Sequence, residues 1–180
     1  MTFSNPAAGA KDAAAAYVKA LLDLLGTRDP LEVMEELEAA ARESVAGVPK
    51  AKLRVPEAPG KWSLLQVLGH LVDTEIVYGY RVRLVLAEDE PRLPGYDQDR
   101  WAVRWSAGNV EADALLADLG YLRRMNLRLY RSLGEGELER WGEHSERGAE
   151  SVQKILRLLA AHDLVHRRQM KRIRRHLGSE

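Results

Sequence analysis

Apolar side chains recur at intervals of three and four residues along most of the 180-residue chain. This spacing places them on one face of an α-helix, and runs of β-branched residues, which favour strands, are missing. Gly26 ends the first predicted helix, and Asp29 followed by Pro30 predicts the start of a shorter one. The helices predicted in this way span residues 11–25, 30–47, 64–88, 110–133 and 149–177.

Two long connectors separate these helices. The first, Val48–Gly60, contains several prolines and cannot continue a helix. After it, Ser63 and Gln66 have the spacing of a capping box, which marks the beginning of a long helix. The second connector, Pro91–Asn109, is longer than ordinary loops, so we expect it to cover a functional site.

The predicted fold is all-α: an up-down four-helix bundle with a helical insertion after the first helix and a long loop after the second bundle helix. We expect a single domain over residues 11–178 and a flexible N-terminal tail over residues 1–10. Trp62, Trp105 and Trp141 are interpreted as packing residues.

Composition narrows the classes of function. Lys and Arg together number 27, as do Asp and Glu, so the net charge is zero, whereas a dedicated nucleic-acid-binding domain is usually basic. The basic run Arg167–Arg175 is expected to be solvated or paired with the acidic segment Glu32–Glu38.

The absence of Cys excludes disulfides and thiolate metal sites. No signal sequence or membrane-length apolar segment is recognised, so we expect a cytoplasmic protein that binds no membrane.

Histidines are the main candidates for metal chemistry, because imidazole is a common ligand of transition metals. His162 and His166 are four residues apart and therefore lie on the same face of the last helix. They interrupt its apolar stripe, and Gln169 follows them. Buried polar side chains need partners, and one metal ion satisfies both imidazoles. The pattern predicts a pair of metal ligands; the alternative is a partly exposed pair that binds nothing.

A metal site of this kind needs a third protein ligand. His176 lies too far along the same helix, so the candidates are His70, in the middle of the second long helix, and His144, in a predicted loop. We choose His70 because polar neighbours surround it, whereas a loop histidine is normally solvated. His162 and His166 have the spacing of the zincin motif, but Asp163 replaces the glutamate that acts as general base, so a metalloprotease is not expected.

Four other side chains are predicted to belong to the site. Asp73, one turn after His70, is a candidate general base or a partner that orients an imidazole, with a surface acid as the alternative. Arg81 is a candidate anchor for an anionic substrate, with pairing or solvation as the alternative. Tyr96 and Trp101 are candidate substrate-binding residues in a lid, or they pack the long connector onto the bundle.

Several segments of the chain resemble the DinB-like superfamily, specifically its YfiT-type branch. The matching motifs are Lys61–Ser63, Gly69–Glu75, Leu93–Ala102, His144–Gly148 and Ala161–Gln169. Members of that family are four-helix bundles, commonly homodimers, in which three histidines hold a divalent metal such as nickel or zinc. The resemblance covers residues 17–177 and implies that His70, His162 and His166 are the ligands.

The same resemblance implies a divalent-metal-dependent hydrolase that acts on a small-molecule substrate by activating water. Zinc or nickel is expected, with iron or manganese as alternatives. Related branches are transferases that use low-molecular-weight thiols such as bacillithiol, so an S-transferase at the same metal is the first alternative function. The second is a non-catalytic metal-binding stress-response protein. The third is an anion- or nucleic-acid-binding bundle that uses the basic helix end.

Overall fold

The computed structural model describes residues 11–107 and 109–178, so the predicted tail over residues 1–10 lies outside the described residues. Among the described helices, none has the length and apolar content that crossing a bilayer requires. The helices are α1 Lys11–Leu25, α2 Pro30–Glu35, α3 Leu37–Val45, α4 Leu64–Ala87, α5 Gln98–Ala107, α6 Ala112–Arg131, α7 Glu135–Glu139 and α8 Val152–His176, with a short 3₁₀ helix at Lys52–Arg54. The strands are β1 Arg92–Leu93, β2 Trp141–His144 and β3 Gly148–Ser151.

Four of the helices, α1, α4, α6 and α8, form a bundle. In it, α4 packs against both α6 and α8, and α1 packs against α8. The two short helices α2 and α3 lie against α8 and α6 and form the insertion that follows the first helix. The predicted four-helix bundle with a helical insertion is therefore confirmed.

The local signals for helix ends act as the sequence predicted. The Asp29 carboxylate accepts hydrogen bonds from two backbone N–H groups of the first turn of α2, at 2.7 and 3.0 Å. Ser63 and Gln66 form the capping box at the start of α4. The helix predicted over residues 30–47 is instead divided at Glu36 into α2 and α3, and it ends at Val45.

A layer of polar side chains divides the apolar core into two clusters. One cluster surrounds the second half of α4 and the first half of α8, and the other surrounds the start of α4 and the end of α8. The buried polar side chains between them are His70, Asp73, Thr74 and Glu75 of α4, Arg123 and Asn126 of α6, and His162, Asp163 and His166 of α8. Because buried polar groups are costly without partners, this layer is the candidate for a functional site.

The fold also contains a small sheet that the sequence did not predict. β2 and β3 form an antiparallel hairpin, and β1 lies parallel to β2 with Leu93 opposite His144. Residues 149–151, predicted as the start of the last helix, belong to β3, and α8 begins after Ser151, whose side chain caps it. Gly148 turns the hairpin with a φ of 72°, which glycine adopts at low cost. The sheet joins the long connector to the hairpin that precedes α8.

The long connector after α4 contains β1 and α5, and α5 packs directly against α4. Gly69 makes this close approach possible, because a Cβ atom added there would lie 2.2 Å from the Trp105 ring. Trp105 packs at the edge of the apolar core. It holds the connector against the turn of α4 that carries His70.

We expect the Gly69→Ala variant to be less stable than the wild type by about 1–3 kcal/mol, the usual cost of forcing extra atoms into a packed contact. In an ordinary helix the same change stabilises by up to about 1 kcal/mol. Thermal unfolding measures the difference, and limited proteolysis near Trp105 reports whether α5 has moved. Gly136→Ala is the control, because Gly136 lies in α7 with open space around its Cβ position. Equal stability of both variants would show that this contact does not hold α5.

Candidate metal centre

Three imidazoles meet in the polar layer between α4 and α8. His70 projects from α4, and His162 and His166 project from successive turns of α8. The Nε2 atom of His162 lies 2.9 Å from that of His70 and 3.0 Å from that of His166. All three side chains are buried, with exposed fractions of 1%, 7% and 8%. The structure therefore brings together the three histidines that the sequence singled out.

Hydrogen bonding fixes the protonated nitrogen of one ring. The Nδ1–H of His166 donates to the side-chain oxygen of Gln169 at 2.7 Å, which leaves the Nε2 lone pair directed toward the other two imidazoles. Burial lowers the pKa of His166 to about 4, and it lowers the pKa values of His70 and His162 well below their usual range. The three rings are therefore neutral at neutral pH, which is the form that binds a metal.

The residues present fit a divalent transition metal. Three nitrogen donors meet the minimum that a catalytic zinc-type site requires from the protein. Imidazole suits zinc, nickel and iron, whereas magnesium and calcium prefer oxygen ligands. Among the His, Asp and Glu side chains of the described residues, His70, His162 and His166 are the group whose ligand atoms all lie within 4.8 Å of one another.

Aromatic side chains surround the imidazoles. The Trp62 ring centroid lies 4.8 Å from that of His70, and the same ring is stacked on His166 at 6.2 Å. The ring of Tyr78 lies 6.5 Å from that of His162. Trp62 is thus a packing residue, as predicted, but the groups on which it packs are the imidazoles themselves. Apolar walls of this kind keep bulk water away from a reactive centre.

Asp73 is buried, with 6% of its surface exposed, and is not a surface acid. The indole Nε1–H of Trp105 donates to one of its carboxylate oxygens at 2.8 Å. Burial raises the pKa of the Asp73 carboxyl, and the hydrogen bond from Trp105 partly opposes this rise. Asp73 and Trp105 line a cleft of about 450 Å³ together with Asp97, Arg100, Trp101 and Arg104. The role of Asp73 as general base stays a prediction.

Arg81 is buried, with 2% of its surface exposed, so it is not solvated. Its Nη2 donates to the backbone oxygen of Pro94 at 2.6 Å, which ties the long connector to α4. Its guanidinium carbon lies 5.3 Å from the centre of the Tyr78 ring, a distance at which a cation and an aromatic face attract each other. Because the Tyr78 ring also lies 6.5 Å from that of His162, Arg81 belongs to the surroundings of the three imidazoles.

Tyr96 and Trp101 pack against each other, with ring centroids 4.9 Å apart. The hydroxyl of Tyr96 lies 3.5 Å from that of Thr74 on α4, and burial raises the pKa of Tyr96 to about 12. Trp101 is 41% exposed and faces the cleft beside Asp73. The connector therefore lies over α4 next to the imidazoles, and the substrate-binding role of these two residues stays a prediction.

The prediction that His144 is solvated is wrong. The pairing of β2 with β1 and β3 buries His144, which is only 2% exposed. Its Nδ1 accepts a hydrogen bond from the backbone N–H of Glu146 at 3.1 Å. Burial, together with the positive charges of Arg147 and Arg81, lowers the pKa of His144 to about 3. Although buried, His144 does not join the three-histidine group.

The polar layer also contains a buried ion-pair network that the sequence analysis missed. Arg123 of α6 contacts Asp163 of α8 at 2.6 Å and Glu75 of α4 at 2.5 Å. It also donates to the backbone oxygen of Met34, and Asn126 donates to Glu75 at 3.0 Å. The network thus joins α2, α4, α6 and α8 beside the imidazoles. The sequence feature that could have indicated this network is that Arg123 and Asn126 interrupt the apolar stripe of α6.

The basic run of α8 is partly neutralised within the molecule. Arg167 pairs with Glu36 of the acidic segment at 2.5 Å, and Arg172 pairs with Glu57 at 2.6 Å. Arg174 donates to two backbone oxygens at the end of α3. The predicted pairing with the acidic segment is confirmed for Arg167, whereas Arg172 and Arg174 bind other groups of the same molecule. These contacts weaken the case for an anion- or nucleic-acid-binding surface there.

Comparison with known proteins identifies a family and several relatives. A family model described as "DinB superfamily" matches residues 34–170. A protein of Oceanobacillus iheyensis named "Putative metal-dependent hydrolase" is 26% identical over 133 residues, which are 74% of this chain and 77% of that protein. A protein of Bacillus mycoides with the same description is 24% identical over 148 residues, which are 82% of this chain and 85% of that one.

The fold is also similar to a solved structure. YfiT from Bacillus subtilis, described as "a probable metal-dependent hydrolase with an unusual four-helix bundle topology", superposes with a TM-score of 0.76 and 21% identity. The superposition covers 99% of this chain and 95% of that chain, so the two proteins share a fold. Because the family model matches most of its length, the chain belongs to the DinB superfamily.

Proposed function

We propose that this protein is a divalent-metal-dependent hydrolase and that His70, His162 and His166 hold the metal. The observation that carries the proposal is the convergence of three buried imidazoles, each of which offers one ring nitrogen within 4.8 Å of the other two. The names of the relatives from Oceanobacillus iheyensis and Bacillus mycoides support it. Zinc or nickel suits a donor set of three imidazoles best, and iron or manganese is the alternative.

A divalent ion in such a site supplies Lewis-acid activation of water for attack on a substrate near neutral pH. The protein contributes the surroundings. Asp73 takes the proton that the attacking water loses: Trp105 holds one of its oxygens, and burial moves its pKa upward, toward the range of a general base. Tyr96 and Trp101 bind the substrate from the connector, and Arg81 binds it from α4.

The test compares metal content with hydrolysis. The purified protein is analysed for metals and then assayed with panels of ester, amide and phosphoester substrates, before and after chelation. We expect hydrolysis that the chelator abolishes and that zinc or nickel restores, and we expect the His70→Ala variant to lack it. A second arm offers bacillithiol and monochlorobimane. Metal-dependent conjugation without hydrolysis would favour the S-transferase, and a metal-loaded protein inactive in both arms would favour a non-catalytic metal-binding protein.

Gln169 is expected to tune the metal affinity without being a ligand. It accepts the Nδ1–H of His166 at 2.7 Å, so the Gln169→Ala variant loses the contact that orients this ring. We expect metal binding to weaken about 10–100-fold, the usual cost of removing such a partner. Titration with zinc against a competing chelator measures the affinity. Gln153→Ala, an exposed position on the same helix, should bind zinc as the wild type does, and an equal affinity in the Gln169→Ala variant would contradict the prediction.

A further inference from the structure

Arg81 is a buried cation without a counter-charge. Its side chain makes one hydrogen bond, to the Pro94 carbonyl, and its Nε is buried with no hydrogen-bond partner. Within the part of the chain that the structure describes, none of the ion pairs involves Arg81. The nearby carboxylate of Glu150 is occupied, because Arg147 binds both of its oxygens at 2.7 and 2.8 Å. A buried charge without an oppositely charged partner is strongly unfavourable. We therefore expect a negatively charged group to bind beside Arg81.

His144 supplies a second unused donor in the same region. Its Nδ1 accepts the backbone N–H of Glu146, so the ring proton resides on Nε2. That Nε2 is buried and has no hydrogen-bond partner among the described residues. The pairing of Leu93 with His144 places the imidazole beside the strand that leads directly to Pro94, the residue to which Arg81 is bound.

Arg81 has no buried carboxylate paired with it among the described residues. Arg147 is paired with Glu150, and His144 is neutral, because burial lowers its pKa to about 3. The carboxylate of Glu146 also lies in this region, but it is exposed. One bound anion supplies a buried counter-charge to Arg81 and accepts charge-assisted hydrogen bonds from the free donors.

We propose that Arg81 and His144 form a buried receptor for the anionic group, a carboxylate or a phosphate, of the small molecule on which the metal centre acts. The inference rests on the proposed function, because the receptor holds the substrate of the metal centre. Tyr78 lies between the receptor and the metal centre. The ring of Tyr78 lies 6.5 Å from that of His162 and 5.3 Å from the Arg81 guanidinium. A small substrate with its anionic group at Arg81 therefore has its reacting group near the imidazoles. Arg81 positions the substrate and does not take part in the chemical step.

Anion binding is tested directly, without reference to turnover. Equilibrium dialysis with inorganic phosphate, and separately with acetate, is carried out on the full-length wild type and on the His162→Ala, Arg81→Gln and Arg83→Gln variants. Arg83 is the matched control, because it lies on the same helix and also donates to a backbone oxygen. We expect at least one of the two anions to bind the wild type, the His162→Ala variant and the control alike. Binding to the Arg81→Gln variant should be weaker by about tenfold or more.

Equal anion affinity in the wild type and the Arg81→Gln variant would overturn the proposal. The absence of binding of either anion to the wild type would overturn it as well. If the Arg81→Gln variant does not fold, the His144→Phe variant, which removes only the second donor, is expected to show the same loss, and unchanged binding there would also overturn it. Metal content tests the proposed function and anion binding tests this receptor, so each can fail while the other stands.

Discussion

The His162→Ala variant is expected to retain less than about a tenth of the divalent metal that the wild-type protein carries after purification. The Nε2 of His162 is the closest neighbour of both other imidazole nitrogens, at 2.9 and 3.0 Å, so its loss leaves two ligands where at least three are needed. The loss of affinity should exceed the roughly 10–100-fold that removing an outer partner of a ligand costs. Elemental analysis of both proteins, purified side by side, measures the ratio of metal to protein.

The control for this experiment is the His176→Ala variant. His176 lies on the same helix but is exposed and far along it, so its removal should leave the metal content unchanged. His70→Ala should lose the metal as His162→Ala does, because the three rings form one site. Equal metal content in the wild type and the His162→Ala variant would contradict the assignment of the metal centre. It would also contradict the proposed hydrolase function.

The parts of the fold that could be predicted are those that local sequence determines. The first helix has the predicted bounds, residues 11–25, and the caps at Asp29 and Ser63 form as expected. The small sheet could not be predicted in this way. Its strands are two to four residues long, too short for an alternating pattern to emerge. The parallel pairing of Leu93 with His144 joins segments that are distant in the chain.

The candidate site also combines features that local sequence determines with features that depend on tertiary contacts. His162 and His166 interrupt an apolar stripe, and this local signal was sufficient to single them out. The burial of His144 depends on the sheet, and the hydrogen bond from Trp105 to Asp73 depends on the packing of α5. Neither the burial of His144 nor this hydrogen bond can be predicted from the neighbouring residues in the sequence.

Buried arginines are the hardest of these features to predict, because arginine is almost always exposed unless it is paired. Arg81 and Arg123 are 2% and 3% exposed, whereas their neighbours Arg83 and Arg124 are more accessible. The sequence places all four on helices and does not distinguish them. Only the tertiary structure shows that Arg123 is surrounded by carboxylates and that Arg81 is not.

The Arg123→Met variant is expected to lose about 3–5 kcal/mol of stability, the usual cost of removing one partner of a buried ion pair. Glu75 and Asp163 contact Arg123 at 2.5 and 2.6 Å, and their side chains are fully buried. Without the guanidinium, two carboxylates in the core lose the positive charge that contacts both of them. The loss also removes the hydrogen bond to Met34, which connects the insertion to the bundle. Denaturant-induced unfolding, monitored by circular dichroism, measures the change in the free energy of unfolding.

The next residue in the chain is the control. Arg124 forms an ion pair with Glu38 at 2.9 Å, but its side chain is 59% exposed, so the Arg124→Met variant should lose less than about 1 kcal/mol. If the cost at Arg123 arises from stranded carboxylates, adding Glu75→Gln and Asp163→Asn to the Arg123→Met variant should restore part of the stability, because neutral amides are less costly to bury than charges. Equal losses at Arg123 and Arg124, or no recovery in the triple variant, would show that buried charge is not what makes this position critical.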